Sequence, residues 1–292
     1  MIFTEYITHF LLRVLSMIFS LVPRRFALLL GRNIGLILYL LPFRKKVAKK
    51  NLDIVFKTKN KIEKRMVLLN CYKHYGMVLA DFLSQRSINK YNMDDYFVFN
   101  KKDKKKLLEA QGGCILSAHI GNWEMVLPAM GLNNIKMDTV VMRQKNAAAN
   151  NFYLNLRNFE NINLIYKDGA LKNLYKSITE QRMIGLASDQ NARKGGLKIN
   201  FFGEPASFPK GAGKFYHKTL CSLFIVYCIL RSDFKYHVYV KEIKLDQIDN
   251  IEDQVIDKII RIYADDLSSK IQQHPEQYFW FHKKWNKKIY KA

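Results

Sequence analysis

The sequence predicts an α/β fold: a mostly parallel central sheet flanked by helices, preceded by an N-terminal helical segment that associates with a membrane. Three observations carry that expectation. From residue 112 onward, short apolar runs alternate with stretches of helical periodicity, the pattern of a layered sheet with crossover helices. Residues 1–43 are nearly continuous apolar chain, and a dense basic run follows at once. Hydrophobic residues make up 49% of the 292 and aromatics 13%, which is enough for a sizeable core and too apolar for a disordered chain.

Along the chain, Phe3, Ile7, Phe10, Leu11, Val14, Leu15, Ile18 and Val22 fall at helical spacing on one face, while Glu5, His9, Arg13, Ser16 and Ser20 lie mostly elsewhere. Arg13 and His9 make a free transmembrane span costly, so a helix in or tilted through the interface fits better. Pro23 breaks this helix and a second runs from about Phe26 to Leu41. The absence of a basic n-region and of a small-residue cleavage site argues against a cleavable leader. In "FRKKVAKKNLDIVFKTKNKIEKR" the cations adjoin the apolar hairpin, each worth ~1 kcal/mol against anionic lipid. Two buried helices with a solvated charged helix would be the alternative; the coincidence of apolar and basic stretches favours the membrane.

Residues 60–87 read as helix. Then "GCILSAH" reads as a strand, "WEMVLPAMGL" as a helix start, "KMDTVVMR" as a strand and "NNFYLNLRNF" as a helix. Next come "INLIYK" as a strand, "ALKNLYKSITEQ" as a helix and "MIGLAS" as a strand running into Asp189. "AGKFYHKTL" is helical, "SLFIVYCILR" and "KYHVYVKEI" are strands, and 251–273 is a final helix. No repeat or Pro- or Ser-rich linker interrupts this run, so the expected organisation is a membrane-associating segment, 1–43, and one catalytic α/β domain, 44–292.

Lys and Arg total 48 against 25 Asp and Glu, a net charge of +23. Such an excess predicts an acidic partner, although abundant Lys, Asn and Ile also follow from an AT-rich coding sequence. No helix-turn-helix, zinc finger or RNP-like aromatic block supports nucleic acid. Cys71, Cys114, Cys221 and Cys228 form no CxxC pair, which points to a reducing compartment and no cysteine metal site. Neither Asp189 with Glu124 nor any other tight His/Asp cluster suggests a metal, and no cofactor is expected.

The chemistry gathers at "GCILSAHIGNWEM". His119 and Glu124 are five residues apart, about 140° around a single helix, so they would not share a face. If His119 ends the strand, Gly121 makes the turn and Asn122 caps the helix, Glu124 falls in the first helical turn. From there its carboxylate can reach back to one imidazole nitrogen, leaving the other above the sheet edge where open α/β folds bind ligands. That is a base with an orienting acid. Taken alone, the pattern is also that of a histidine merely satisfying its hydrogen bonds near a helix start; the strand-to-helix setting raises the catalytic reading without settling it.

"HIGNWE" resembles the HxxxxD/E motif of the glycerolipid acyltransferase superfamily, and more specifically the H-x-G-N-W-E of bacterial lipid A late (lauroyl/myristoyl) acyltransferases. Arg44 with "AKKNLDIVF", the block "VVMRQKN" followed by Arg157, "GLASDQNARKGGLKINFFGEPASFPKGAG" and "YFWFHKKW" are similar to further blocks of that family, from about residue 24 to 285. Lys283 and Lys284 stand where an arginine is usual, and Pro209 where a small residue is.

The resemblance implies transfer of a fatty acyl group from acyl carrier protein, or less often coenzyme A, to a lipid hydroxyl. The acceptor would be a lipid A precursor, or another glycerolipid or glycolipid. The place would be the cytoplasmic side of a bacterial inner membrane rich in anionic lipid. His119 would be the general base and Glu124 its orienter, with no covalent intermediate. Backbone amides near Gly121 or a cation would receive the oxyanion. Arg143, at a strand end, divides evenly between a phosphate or oxyanion contact and a surface arginine. Arg157 is a weaker phosphate candidate, and Asp189 and Gln190, with Asn122, complete the expected substrate-binding set. Trp280 and Trp285 read as core or as an aromatic pair at the membrane surface. The class competing with an enzyme is a non-catalytic basic membrane-binding protein.

Overall fold

The computed structural model describes residues 2–245 and 251–290. Four helices open the chain: α1 (Ile2–Leu21), α2 (Arg24–Leu40), α3 (Lys45–Val55) and α4 (Lys61–Ser84). Pro23 separates the first two, and a 95° bend separates α2 from α3. Among the described residues no single helix is long and apolar enough to cross a membrane; α2 and α3 pass together only as a bent pair. The start of α4 is fixed by a capping box in which Asn60 accepts from Ile62 and Glu63 while Glu63 reaches back to Asn60.

The crossing of α2 on α4 is held close by small residues. A Cβ at Gly31 would sit 2.5 Å from the Gly76 carbonyl oxygen, and one at Gly76 would sit 1.9 Å from that of Gly31. The expected division at residue 43 coincides with the bend, yet both sides share one packed interior: Ala27 and Leu28 of α2 are buried like Tyr72 and Ala80 of α4. The outer faces of α1 and α2 remain apolar and open, with Tyr6, Phe10, Leu21, Phe26 and Leu40 each more than half exposed.

After α5 (Met93–Tyr96), β1 (Phe97–Phe99) and α6 (Lys101–Glu109), the alternating part begins. It runs β2 (Gly113–Ser117), α7 (Val126–Gly131), β3 (Met137–Val141), α8 (Ala147–Leu156), β4 (Ile162–Tyr166), α9 (Ala170–Thr179) and β5 (Met183–Ala187). A hairpin, β6 (Leu197–Phe201) and β7 (Glu204–Phe208), precedes α10 (Gly211–Thr219), β8 (Ser222–Leu230), β9 (Tyr236–Glu242) and α11 (Glu252–Gln273).

The seven-stranded sheet has the order β1-β9-β8-β2-β5-β3-β4. Its five strands from β8 to β4 are parallel, and β9 turns back antiparallel to β8. The central strands are continuous hydrophobic runs because both faces are covered; Cys114, Ile115 and Leu116 of β2 are fully buried. The sequence pattern finds these strands within a residue or two. It misses β1 and the β6–β7 hairpin, whose residues stand out as motif rather than by alternation.

Candidate functional site

The carboxyl ends of β2 and β5 lie side by side, with Ser117 paired to Ala187. Two residues beyond that register, His119 and Asp189 face each other, and Nδ1 of His119 lies 2.8 Å from Oδ1 of Asp189. The Asp189 side chain is 1% exposed and the ring 17% exposed. With Asp189 ionised, Nδ1–H donates to it and Nε2 keeps its lone pair. Burial lowers the basicity of His119, but the charge and hydrogen bond of Asp189, then the charge of Glu124, outweigh it and leave the imidazole more basic than usual. Burial likewise pushes Asp189 up, and His119 with the charges of Lys284 and His282 brings it well below the usual carboxylate range.

The expected orienter, Glu124, is engaged elsewhere, and this corrects the sequence reading. It sits in a 3₁₀ turn, Trp123–Met125, and both its oxygens are held by Arg157, Nε to Oε2 and Nη2 to Oε1, each at 2.8 Å. A planar guanidinium at the end of α8 offers a fork matched to a carboxylate, whereas the ring is already served by the neighbouring strand. Arg157, the weaker phosphate candidate of the sequence, is thus engaged with Glu124, and its guanidinium also lies 5.1 Å from the centre of the Phe82 ring.

Asn122, expected among the substrate contacts, is buried and structural. Its Oδ1 accepts from the amide of Glu124 as the predicted cap, and its Nδ2 donates to the Tyr236 hydroxyl at 3.0 Å. Tyr236 in turn donates to Asp81 Oδ2 at 2.6 Å, and Asp81 is paired with Arg24 of α2. Burial raises the Tyr236 hydroxyl well above its ordinary range, so it remains a donor. Arg143 lies beyond β3 with its guanidinium 4.3 Å from the centre of the Tyr166 ring; among the described residues no hydrogen bond joins it to His119, Asp189 or Glu124. Gln190 Nε2 lies 3.3 Å from Nε2 of His119.

The turn after the histidine is locked from all sides. Gly121 has φ +62° and a Cβ there would fall 1.9 Å from the Cys228 carbonyl oxygen, so only glycine fits. His119 O accepts from Phe279 N, Gly121 N donates to Gln277 O and Asn122 N to Cys228 O. Those two amides are thus committed within the fold. His74, from the middle of α4, reaches Gly121 O at 2.9 Å, and burial brings its pKa down to about 4, which keeps it a neutral donor.

Several residues of the site escape sequence reasoning. Lys284 is 1% exposed; its Nζ donates to Asp189 O at 2.6 Å and lies 3.2 Å from the centre of the Phe208 ring. Burial, partly offset by Asp189, lowers its pKa to about 7. His282 accepts from the Asn191 amide and is lowered to about 4, chiefly by burial. Trp280 and Trp285 are core, 0% and 1% exposed. Asn51 of α3 clamps their segment by donating to Trp280 O and His282 O. The run "HKKW" carries a visible signal, a lysine between aromatic core residues; His74 carries none.

Trp123 and Phe279 wall the His119 ring, with centroids 5.0 and 6.1 Å away. Gln190 and Phe279 also line a cleft of about 530 Å³ that carries Arg44, Arg193, Lys283 and Lys287 and, among the described residues, no carboxylate. The site thus joins an imidazole held by a carboxylate at Nδ1 and a carboxamide at Nε2 to a cationic cleft with aromatic walls.

A family model described as bacterial lipid A biosynthesis acyltransferase matches residues 1–287 of the chain. A curated relative, the phosphatidylinositol mannoside acyltransferase of Mycolicibacterium smegmatis (strain ATCC 700084 / mc(2)155), is 24% identical over 184 residues. That match covers 61% of this chain and 58% of the relative, so the chain spans less than two thirds of the relative's length.

Proposed function

The chain belongs to the bacterial lipid A biosynthesis acyltransferase family, and on that footing we propose that it transfers a fatty acyl group from a thioester donor to a hydroxyl of a phosphorylated membrane lipid. Acyl carrier protein, which is acidic, suits the basic surface as donor, with coenzyme A as the alternative carrier. A lipid A precursor is the acceptor of first choice. The observation that carries the reading is the His119–Asp189 pair opening through Gln190 onto a cleft with four cations.

In the proposed reaction the acceptor hydroxyl displaces the Gln190 carboxamide from Nε2 of His119. Nε2 takes the hydroxyl proton as the oxygen attacks the thioester carbonyl, and Asp189 balances the imidazolium that results. The tetrahedral intermediate then collapses, the C–S bond breaks, and the imidazolium returns its proton to the leaving thiolate. With the Gly121 and Asn122 amides already donating, the Gln190 carboxamide is the donor nearest the developing oxyanion. Arg44, Arg193, Lys283 and Lys287 receive the acceptor's phosphates. Arg157 and Glu124 fix the helical turn beside the ring, and Arg143 remains a candidate for a more distant phosphate. No cofactor is required.

The open apolar faces of α1 and α2 support seating on the cytoplasmic face of a bacterial inner membrane. A mannosylated phosphoinositide acceptor is the second reading, because the relative bears that name; its phosphodiester suits the same cleft.

The test supplies the purified full chain in lipid nanodiscs with acyl carrier protein thioester and each acceptor, and follows the products by mass spectrometry. Secondary acylation of the lipid A precursor, abolished in His119→Ala with folding and membrane binding retained, is the expected result. Transfer undiminished in His119→Ala would remove the proposed base, and no transfer to any acceptor would favour a non-catalytic membrane protein.

A further inference from the structure

A second basic cavity lies apart from the His119 cleft, where the end of α2 meets α3 and the first turns of α4. Its volume is about 480 Å³ and its walls hold Lys45, Lys49, Lys61, Lys64 and Arg65 against the single carboxylate of Asp53. Two of these cations are partly committed. Lys64 pairs with Asp53 at 2.9 Å, and Lys45 donates to Tyr39 O at 2.8 Å while lying 3.9 Å from the centre of the Tyr39 ring. Among the described residues Arg65 uses only Nε, toward the Tyr39 hydroxyl at 3.3 Å, which leaves its terminal fork open to them. Lys49 and Lys61 make no ion pair or hydrogen bond among the described residues. Nothing in the reaction described above uses any of them.

Tyr39 and Lys45, which line the cavity, bracket Leu40 and Leu41 on the chain, 73% and 50% exposed. A cation-lined hollow with exposed aliphatic side chains one and two residues from its wall offers the two-part chemistry of a phospholipid: cations for a phosphate, leucines for acyl chains. An acidic protein would meet the cations but gain nothing from Leu40 and Leu41, and inorganic phosphate would leave those two side chains bare.

We propose that this cavity binds the phosphate headgroup of an anionic bilayer phospholipid, through Lys49, Lys61 and the open fork of Arg65, with the lipid's acyl chains along Leu40 and Leu41. The site holds a lipid that is neither donor nor acceptor, and it fixes how the bend between α2 and α3 sits at the membrane. It stands apart from acyl transfer: a chain that binds the headgroup without transferring acyl groups loses the role given to His119, not this one.

The experiment titrates the full chain with dihexanoyl phosphatidylglycerol below its micellar concentration and with dihexanoyl phosphatidylcholine, by calorimetry. It compares the wild type, the triple variant Lys49→Gln, Lys61→Gln, Arg65→Gln, and a control that removes equal charge from α6, Lys101→Gln, Lys102→Gln, Lys105→Gln. A variant with Lys49→Glu and Lys61→Glu alone, both surface positions, covers the case in which loss of Arg65 disturbs Tyr39. The expected result is a saturable phosphatidylglycerol site weakened at least about tenfold by either cavity variant and less than about twofold by the control, since each cation near an anionic headgroup contributes on the order of 1 kcal/mol. Equal weakening by cavity and control variants would mean diffuse charge attraction and overturn the proposal. Competition by inorganic phosphate at equal concentration would reduce the cavity to a free-anion site. Loss of acyl carrier protein binding, with phosphatidylglycerol binding intact, would assign it to the donor instead.

Discussion

Replacing Asp189 by Asn isolates the contact on which the proposed chemistry turns. The amide keeps the size of the side chain but no longer neutralises an imidazolium, and its NH₂ can present a donor to Nδ1, favouring the tautomer with the proton on Nε2. A base of that tautomer cannot accept the acceptor's proton. General-base assistance is worth about 10²–10⁴-fold, so the plateau of kcat should fall by that factor, roughly 3–5 kcal/mol of transition-state stabilisation. A second signature accompanies the loss. Asp189 raises the His119 pKa against the opposing effect of burial. The wild-type acid limb, where the base protonates, should therefore lie above the ordinary histidine value, and in Asp189→Asn it should move to lower pH as the plateau drops. The assay is kcat and kcat/KM against pH in nanodiscs for wild type, Asp189→Asn and Glu124→Gln. Glu124→Gln should leave the acid limb closer to wild type, because Glu124 contributes only its charge, from within the Arg157 pair. The reasoning fails if Glu124→Gln abolishes turnover and moves the limb while Asp189→Asn keeps wild-type rates.

Other consequences are measurable separately. Gly121→Ala should unfold or inactivate the protein, since the new methyl meets the Cys228 carbonyl in a left-handed turn; a destabilisation of roughly 3 kcal/mol or more in thermal melts is expected, and wild-type melting would contradict it. Lys284→Met leaves the buried Asp189 carbonyl without its donor, a loss of about 1–3 kcal/mol, and should shift the low-field Nδ1 proton of His119 in NMR spectra. Arg44→Gln with Lys283→Gln should raise KM for a phosphorylated acceptor about tenfold or more and leave kcat nearly intact, as expected for charge-assisted phosphate contacts. For stability, His119 carries a raised folded-state pKa, so its contribution is full below the unfolded value and disappears as pH rises through the folded one; His119→Gln should flatten that segment of the melting-temperature profile.

Much of the architecture was legible because buried parallel strands advertise themselves as uninterrupted apolar runs: "GCILS", "MIGLA" and "SLFIVYCIL" are all strands at the sheet centre. The hairpin β6–β7 was not, because its alternation is broken by "FFGEP" and its residues serve to cover Lys284 and Trp285 rather than to extend the sheet. At the site, sequence proximity misled. Glu124 lies close along the chain and seemed the natural partner of His119, whereas Asp189 is seventy residues away and becomes its neighbour only through the β2–β5 register. The same holds for Arg157, which reads as a lone helical cation until α8 brings it to Glu124. Strand order converts distant residues into contacts, and no local pattern encodes it.

The hydrogen-bonded line from Arg24 through Asp81 and Tyr236 to Asn122 bears on how the protein can be handled. A fragment trimmed of its first 43 residues in pursuit of better behaviour in aqueous buffer would strand the Asp81 charge in the interior and uncover the glycine-lined crossing on α4. Its histidine turn would lose the far end of its tether. The leading helices are therefore a wall of the protein's interior, and preparations that retain them are the ones whose kinetics will describe the native molecule.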